Sequence, residues 1–346
     1  MPLAFGQNAP WFVTRTPSNP EFAFDTASGR YVLMLFLPDE PEARGGAIRA
    51  LAANQRLFDE VKACALVVYR DPSLEAGLRD VRGVRWMIDP KGAITDRYGP
   101  EPHWLLLDPT LRAMASAPIE AAQEMFDRIA ALPPPAAHAA VPLHAPVLIV
   151  PNIFEPELCA HLIGLHDADG GAFTGVMRDA GDRTVAVMDD LKKRRDIWIE
   201  DPELQAAIRE RLERRLYPMI KRGLGFTVTR IERYLVSCYD AADGAVFHPH
   251  RDNTTQGTAH RKFACSLNLN DGFEGGDLRF NEYGPATYRP PPGGAVVFSC
   301  GMTHEATAVR SGRRYAFLPF FYDEAGAETL AAYNARLAPA PAGASA

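Results

Sequence analysis

Two histidines and an aspartate crowd five positions of the stretch YDAADGAVFHPHRDNTTQG, residues 239–257: His248, His250 and Asp252. On an extended strand, residues two apart share a face with Cα atoms about 6.6 Å apart, and residues four apart are separated by about 13 Å. Metal–ligand bonds are only about 2 Å long. His250 and Asp252 can therefore close on one ion, whereas His248 and Asp252 cannot without a bend, so His248 is assigned to the wall. A third ligand must come from elsewhere. The stretch CGMTHEATAVRSGRRYAFLPFFYD, residues 300–323, offers His304 and Arg314. Ser311-Gly312 reads as a hairpin turn, with His304 opening one strand and Arg314 starting the return strand, so both come toward one interior. Arg313 then faces the other way, and a register slip of one would exchange the two arginines.

Two imidazoles and one carboxylate form a facial donor set suited to non-haem Fe(II). Three adjacent positions stay open; a 2-oxo acid can take two and dioxygen the third. The second carboxylate of 2-oxoglutarate would project away from the iron, where Arg314 supplies a planar bidentate partner. An arginine lining a barrel is costly unless it meets an anion. A His-x-Asp triplet alone fits a structural histidine beside a turn aspartate equally well. The ordered set of His250, Asp252, His304 and Arg314 is what favours iron.

These residues need a sheet-rich scaffold, and the second half of the sequence has one. After helical patterns over 155–168 and 202–222, strand-like runs fall at 227–238, 245–250, 262–270, 276–280, 294–299, 304–309 and 314–322. Helices first and many short strands later point to a barrel or two-sheet jelly roll. Gly275-Gly276 has no Lys-Ser/Thr after it and reads as a tight turn rather than a phosphate loop. The first half alternates strand-like runs at 31–37, 64–69, 84–88 and 103–107 with helical patterns at 47–62, 73–81 and 119–132, as expected of a sheet covered by helices on both faces. The prolines of 132–145 mark a stiff connector between residues 1–131 and 146–325. Residues 326–346 then form a terminal helix and a tail expected to be disordered.

Composition narrows the classes. With 346 residues the chain is long enough for two domains, and a net charge of −6 gives no reason to expect nucleic-acid binding. The run Lys192-Lys193-Arg194-Arg195, flanked by aspartates, reads as a solvated face. The five cysteines are scattered without a Cys-x-x-Cys pair, which argues against a disulfide scaffold or thiolate zinc site. No apolar run is long enough to span a membrane, no secretory signal is visible, and a cytoplasmic location is expected.

Residues 146–323 resemble a 2-oxoglutarate/Fe(II)-dependent oxygenase of the prolyl 4-hydroxylase-like group. The matching pieces, in order, are APVLIVPNIFEPELCAHLIGLH, RYLVSCYDAADGAVFHPHRDN, FACSLNLNDGFEGGDLRF and THEATAVRSGRR. The resemblance implies a double-stranded β-helix and oxidative decarboxylation of 2-oxoglutarate coupled to hydroxylation, releasing succinate and CO2. It implies Fe(II), 2-oxoglutarate and O2 as requirements, with ascorbate as a candidate reductant, and a peptidyl (by analogy prolyl) or small-molecule substrate. By the same resemblance Tyr239 matches the pocket tyrosine that hydrogen-bonds the cosubstrate. Asn268, on one strand face with Ser266, is a further candidate for the pocket. Segment 171–200 is the expected lid or substrate surface.

Residues 1–130 resemble a thioredoxin-fold peroxiredoxin through GQNAPWFV, SGRYVLMLFLP, CALVVYRDP, WMIDPKGAITDRYG and HWLLLDPTLRA. That group's Pro-x-x-x-Thr-x-x-Cys loop here reads Pro38 to Gly45, with Glu42 and Gly45 in place of Thr and Cys. The resemblance therefore implies a fold without peroxidase chemistry, leaving partner binding, homodimerisation of the chain or substrate positioning as roles. Two alternatives to the oxygenase stay open: a binding or sensing module with a structural iron, and a thiol peroxidase using Cys64.

Overall fold

The computed structural model describes residues 2–337; the expected disordered tail lies outside the described residues. The chain divides into two compact units, one running to Ala145 and including Asn281–Ala286, the other comprising the rest from Pro146 onward. Residues 132–145, read above as a connector, belong to the first unit.

The first unit is built on a five-stranded sheet. Its strands are β1 (Tyr31–Phe36), β2 (Ala63–Tyr69), β3 (Val84–Ile88), β4 (His103–Leu107) and β5 (Ala113–Pro118). Their order is β3-β2-β1-β4-β5, with the first three mutually parallel and the last two antiparallel. β1 and β2 are buried on both faces, so their sequences are continuous apolar runs. Helices α1 (Pro41–Ala53) and α2 (Ala122–Ala131) pack Leu51, Phe126 and Ile129 against Leu33 and Leu35. The other face, with Val32 and Met34, is covered mainly by Leu3, Ala9, Phe24 and Tyr98, from segments with little helix, which corrects the expectation of helices on both faces. Helix α1 also begins earlier than its apolar pattern: Pro41 occupies its first turn, and the Glu40 carboxylate accepts from the Glu42 and Ala43 amides. The stretch read as a helix over 73–81 is a short 3-10 segment, Pro72–Gly77.

In the second unit the strands that carry the site are β6 (Lys192–Lys193), β7 (Arg195–Trp198), β8 (Leu235–Asp240), β9 (Val246–His250), β10 (Phe263–Asn268), β11 (His304–Ala306), β12 (Val309–Phe317) and β13 (Phe320–Tyr322). A smaller antiparallel sheet orders β6, β9, β11, Leu278–Arg279 and Thr287–Tyr288. A larger one runs Arg230–Glu232, β13, β10, β12, β8, β7, Ala172–Phe173. Its core packs Val236, Leu267 and Phe317 against Leu162, Ile208, Leu212 and Ile220 of the supporting helices. The helical stretch 202–222 is not one regular helix. It passes through a π turn, Leu212–Leu216, directly before Pro218, whose ring and missing N–H cannot follow regular α geometry.

Two further expectations change. Ser311-Gly312 is no hairpin turn but lies inside β12, where Phe273 pairs with Gly312 across an irregular ladder. Gly312 has φ +73°, and a Cβ there would sit 2.3 Å from the Gly272 carbonyl oxygen, so the position needs glycine. The strand read over 227–238 breaks at Arg233, which has φ +58°. Residues 176–187 form a separate hairpin; the hydroxyl of Tyr333, on the C-terminal helix Glu324–Leu337, accepts from its Thr184 amide at 2.7 Å.

Candidate metal centre and anion pocket

His250 and His304 face each other as direct partners on neighbouring strands β9 and β11, just past a register irregularity. Asp252 follows the end of β9, its amide donating to the Cys300 carbonyl at 3.0 Å. The ligand atoms of His250, Asp252 and His304 lie within 4.8 Å of one another. Asp252 Oδ1 is 3.7 Å from His250 Nε2, and Oδ2 is 3.4 Å from His304 Nε2. The convergence comes from adjacent strands of the smaller sheet, not from a hairpin joining His304 to Arg314.

The Nδ1 atoms of both rings lie against backbone carbonyls, His250 against His248 at 2.7 Å and His304 against Met302 at 3.0 Å. A carbonyl only accepts, so Nδ1 carries a hydrogen, and in the neutral ring Nε2 is the atom that presents a lone pair. Burial and the neighbouring His304 push His250 down to about 3, keeping it neutral. Burial alone would raise the Asp252 carboxyl, but His304, His250 and Arg261 outweigh it and hold the group below its ordinary value. A divalent cation requires its imidazole ligands neutral and its carboxylate ligand ionised, and the directions at His250 and Asp252 agree with that requirement.

His248 is exposed and absent from the cavity wall; it serves through its carbonyl, which corrects its assignment as a wall residue. The cavity encloses about 440 Å³ counted out to its mouth and is lined from both sheets. Arg314, on β12, is 2% exposed and lies beside Tyr239 of β8, its guanidinium carbon 5.2 Å from that ring centroid. Ser266 Oγ accepts from its Nη2 at 2.6 Å, and Asn268 Oδ1 accepts from Nε at 3.1 Å and Nη2 at 3.0 Å. These partners are neutral, so the charge of Arg314 is oriented but uncompensated. Asn268 is thus committed to Arg314 and to the Pro290 carbonyl and does not line the cavity, contrary to its reading as a pocket contact. Arg313 points away to Asp167 at 3.0 Å.

The basic run was misread. Lys192, Arg194 and Asp196 are buried, while Lys193 and Arg195 stay partly exposed, an alternation that follows from the strand period of two. Arg194 lines the cavity, pairs with Asp196 at 3.0 Å and donates to the Tyr239 hydroxyl oxygen at 2.9 Å. Burial and Arg194 push Lys192 down to about 7 even with Asp196 3.5 Å away. The signal was available in the sequence: Lys-x-Arg-x-Asp at alternate positions is an inward charged stripe. Arg233, also on the cavity wall, had no such signal.

Cys64 is buried in β2, and its thiol is pushed up to about 11 by burial, the opposite of what a reactive thiolate needs. Gly275 and Gly276 have φ +76° and +69°; a Cβ on Gly276 would meet the Arg314 side chain at 3.1 Å. Among the described residues no helix is long and apolar enough to cross a membrane.

Residues 234–322 match the 2OG-Fe(II) oxygenase superfamily. That segment contains Tyr239, His250, Asp252, His304 and Arg314. A PKHD-type hydroxylase from Synechococcus sp. (strain CC9605) is 32% identical over 90 residues, 25% of this chain and 40% of that protein. The chain thus matches less than half the length of that curated relative. Among solved structures, a prolyl hydroxylase from Trichoplax adhaerens, determined with a hypoxia inducible factor oxygen degradation domain peptide fragment, has 21% identity. Its TM-score is 0.42, and the match covers 54% of this chain and 86% of that one. A prolyl-4-hydroxylase from Pseudomonas putida has 21% identity and a TM-score of 0.38, with 51% of this chain and 92% of that one covered.

Proposed function

We propose that the second unit is an Fe(II)- and 2-oxoglutarate-dependent oxygenase, with its two sheets forming a double-stranded β-helix. The observation that carries this reading is the juxtaposition of the His250, Asp252 and His304 ligand atoms in one cavity with a buried Arg314 that has no carboxylate partner among the described residues. In this reading His250, Asp252 and His304 hold the metal. When bound, Fe(II) supplies the activation of dioxygen and the oxidation of the substrate. The net conversion is 2-oxoglutarate, O2 and a C–H bond to succinate, CO2 and a C–OH bond.

The chain's own groups bind and orient. Arg314 clamps the distal carboxylate of 2-oxoglutarate, with its fork fixed by Ser266 and Asn268. The Tyr239 oxygen accepts from Arg194, which leaves its O–H to donate to the cosubstrate. Backbone carbonyls hold both imidazoles in the ligating tautomer. Phe247, Phe298 and Leu278 wall the metal end and restrict water. The substrate is a peptide, with a prolyl residue as one candidate, or a small molecule, and hairpin 176–187 contributes to its docking surface. The first unit is thioredoxin-like and redox-inactive; it serves partner binding, homodimerisation or substrate positioning.

The test is succinate formation by the full chain reconstituted anaerobically with Fe(II) and then given 2-oxoglutarate, ascorbate and air. Succinate should form in an Fe(II)-dependent manner. Undiminished turnover by His304→Ala would overturn the assignment.

A further inference from the structure

Building on the oxygenase reading, we infer that Arg233 is a substrate-binding residue and that the group it binds is a carboxylate. Three arginines line the cavity, Arg194, Arg233 and Arg314, against a single lining carboxylate, Asp252. Arg194 is neutralised by Asp196. With Fe(II) and 2-oxoglutarate in place, the doubly charged metal and Arg314 offset Asp252 and the two carboxylates of the cosubstrate. Among the lining groups Arg233 is then the positive charge left over, and an anionic substrate closes the balance of the lining.

The surroundings of Arg233 fit a waiting cation. Its Nε donates to the Leu318 carbonyl at 3.1 Å, and among the described residues no carboxylate lies within ion-pair distance. The nearest acid in sequence, Glu232, is taken on both oxygens by Arg261 and also by His260. Asp196, a second acid acting on Arg233, is shared by Arg194 and Lys192, and Asp252, which also feels Arg233, belongs to the metal-ligand set. The guanidinium lies over the Phe320 ring at 4.2 Å, with Arg261 on the same ring at 4.0 Å, so it rests against an apolar surface, and among the described residues its Nη groups have no hydrogen-bond partner.

The backbone adds an independent sign. Arg233 has φ +58°, a region that side-chain-bearing residues seldom occupy. The kink falls between Arg230–Glu232 and β8, opposite the Leu318-Pro319 break between β12 and β13. It turns the side chain onto the cavity wall. Strain of this kind persists where the surrounding structure imposes it, and it concentrates at ligand clamps.

The test uses the full chain loaded with Mn(II) and saturating 2-oxoglutarate, with propionate as probe and propionamide as its uncharged match. Paramagnetic relaxation of the probe protons reports residence near the metal. Propionate should relax and propionamide should not. Arg233→Gln should weaken propionate binding about tenfold or more, the range of a lost charged hydrogen bond, while Arg233→Lys should keep most of it. Equal relaxation of acid and amide, no relaxation by propionate, or unaltered propionate binding in Arg233→Gln would each overturn the proposal. Relaxation of 2-oxoglutarate itself and its loss in Arg314→Gln test the oxygenase reading separately, so the two failures are distinguishable. Displacement of propionate by free L-amino acids or by capped Asp- and Glu-containing peptides then separates the two sources of the carboxylate.

Discussion

Asp89 in the first unit and Asp252 in the second are both shielded from water, and they are surrounded in opposite ways. Asp89 is 3% exposed and accepts from the Ile94 amide at 3.1 Å, the Thr95 amide at 2.8 Å and the Thr95 hydroxyl at 2.7 Å. Its charge is spent on closing its own loop. Among the described residues Asp252 receives no side-chain hydrogen bond of that kind; its oxygens face two imidazole Nε2 atoms at 3.7 and 3.4 Å. A buried charge satisfied by the chain stabilises a fold, and one aimed at other electron-pair donors asks for a cation. The cationic groups of the second unit repeat the contrast: Arg261 is paired on both sides with Glu232, whereas Arg314 has only neutral partners.

Several experiments sharpen or break this contrast. The largest effect is expected from His304→Ala, whose Mn(II) affinity, measured by calorimetry, should fall more than about 100-fold, since even second-shell partners of a metal typically account for 10- to 100-fold. Retained affinity would remove the distinction between the two aspartates. Arg314→Gln should raise the KM for 2-oxoglutarate roughly 10- to 100-fold in succinate assays.

Asp196→Asn probes a paired buried charge just behind the cavity-lining Arg194. It should destabilise the second unit by about 3–5 kcal/mol at neutral pH in urea unfolding, because Arg194 and Lys192 lose their shared acid. Burial raises the Asp196 carboxyl, but Arg194 and Lys192 outweigh it and bring it to about 2 from an ordinary 3.8. Its stabilisation is therefore present above that ordinary value and lost as pH falls toward about 2, an acid limb that the Asn variant should lack. Asp89→Ala should cost the first unit about 1–3 kcal/mol through three orphaned donors. It should leave Mn(II) affinity unchanged; a shift in that affinity would contradict the structural role assigned to Asp89. The smallest change is expected from Cys64→Ala, with roughly 1 kcal/mol lost and peroxide consumption at background in both forms.

The site was more legible than the fold details that carry it. That His250, Asp252, His304 and Arg314 meet at one cavity could be read because few side chains are candidate ligands, and strand geometry limits which can meet. The route by which His304 and Arg314 reach one cavity was misjudged, because Ser311-Gly312 carries a turn signature that the ladder with Phe273 overrides. Lys192 to Asp196 was misread because charge density outweighed strand period. Asn268 lies on the expected strand, but its side-chain oxygen serves Arg314 rather than the cavity. Arg233 lay beyond sequence reasoning, since nothing local announces a positive φ on an arginine. In the first unit, continuous apolar runs identified β1 and β2, while the segments covering the second face of the sheet lacked any regular period to read.

The carbonyls of His248 and Met302 that fix both imidazoles come from the main chain, which every amino acid supplies. Drift at positions 248 or 302 can therefore change the side chain without altering which ring nitrogen is available. The ligating geometry is to that extent encoded in the path of two strands, and replacing either side chain by alanine should leave it intact.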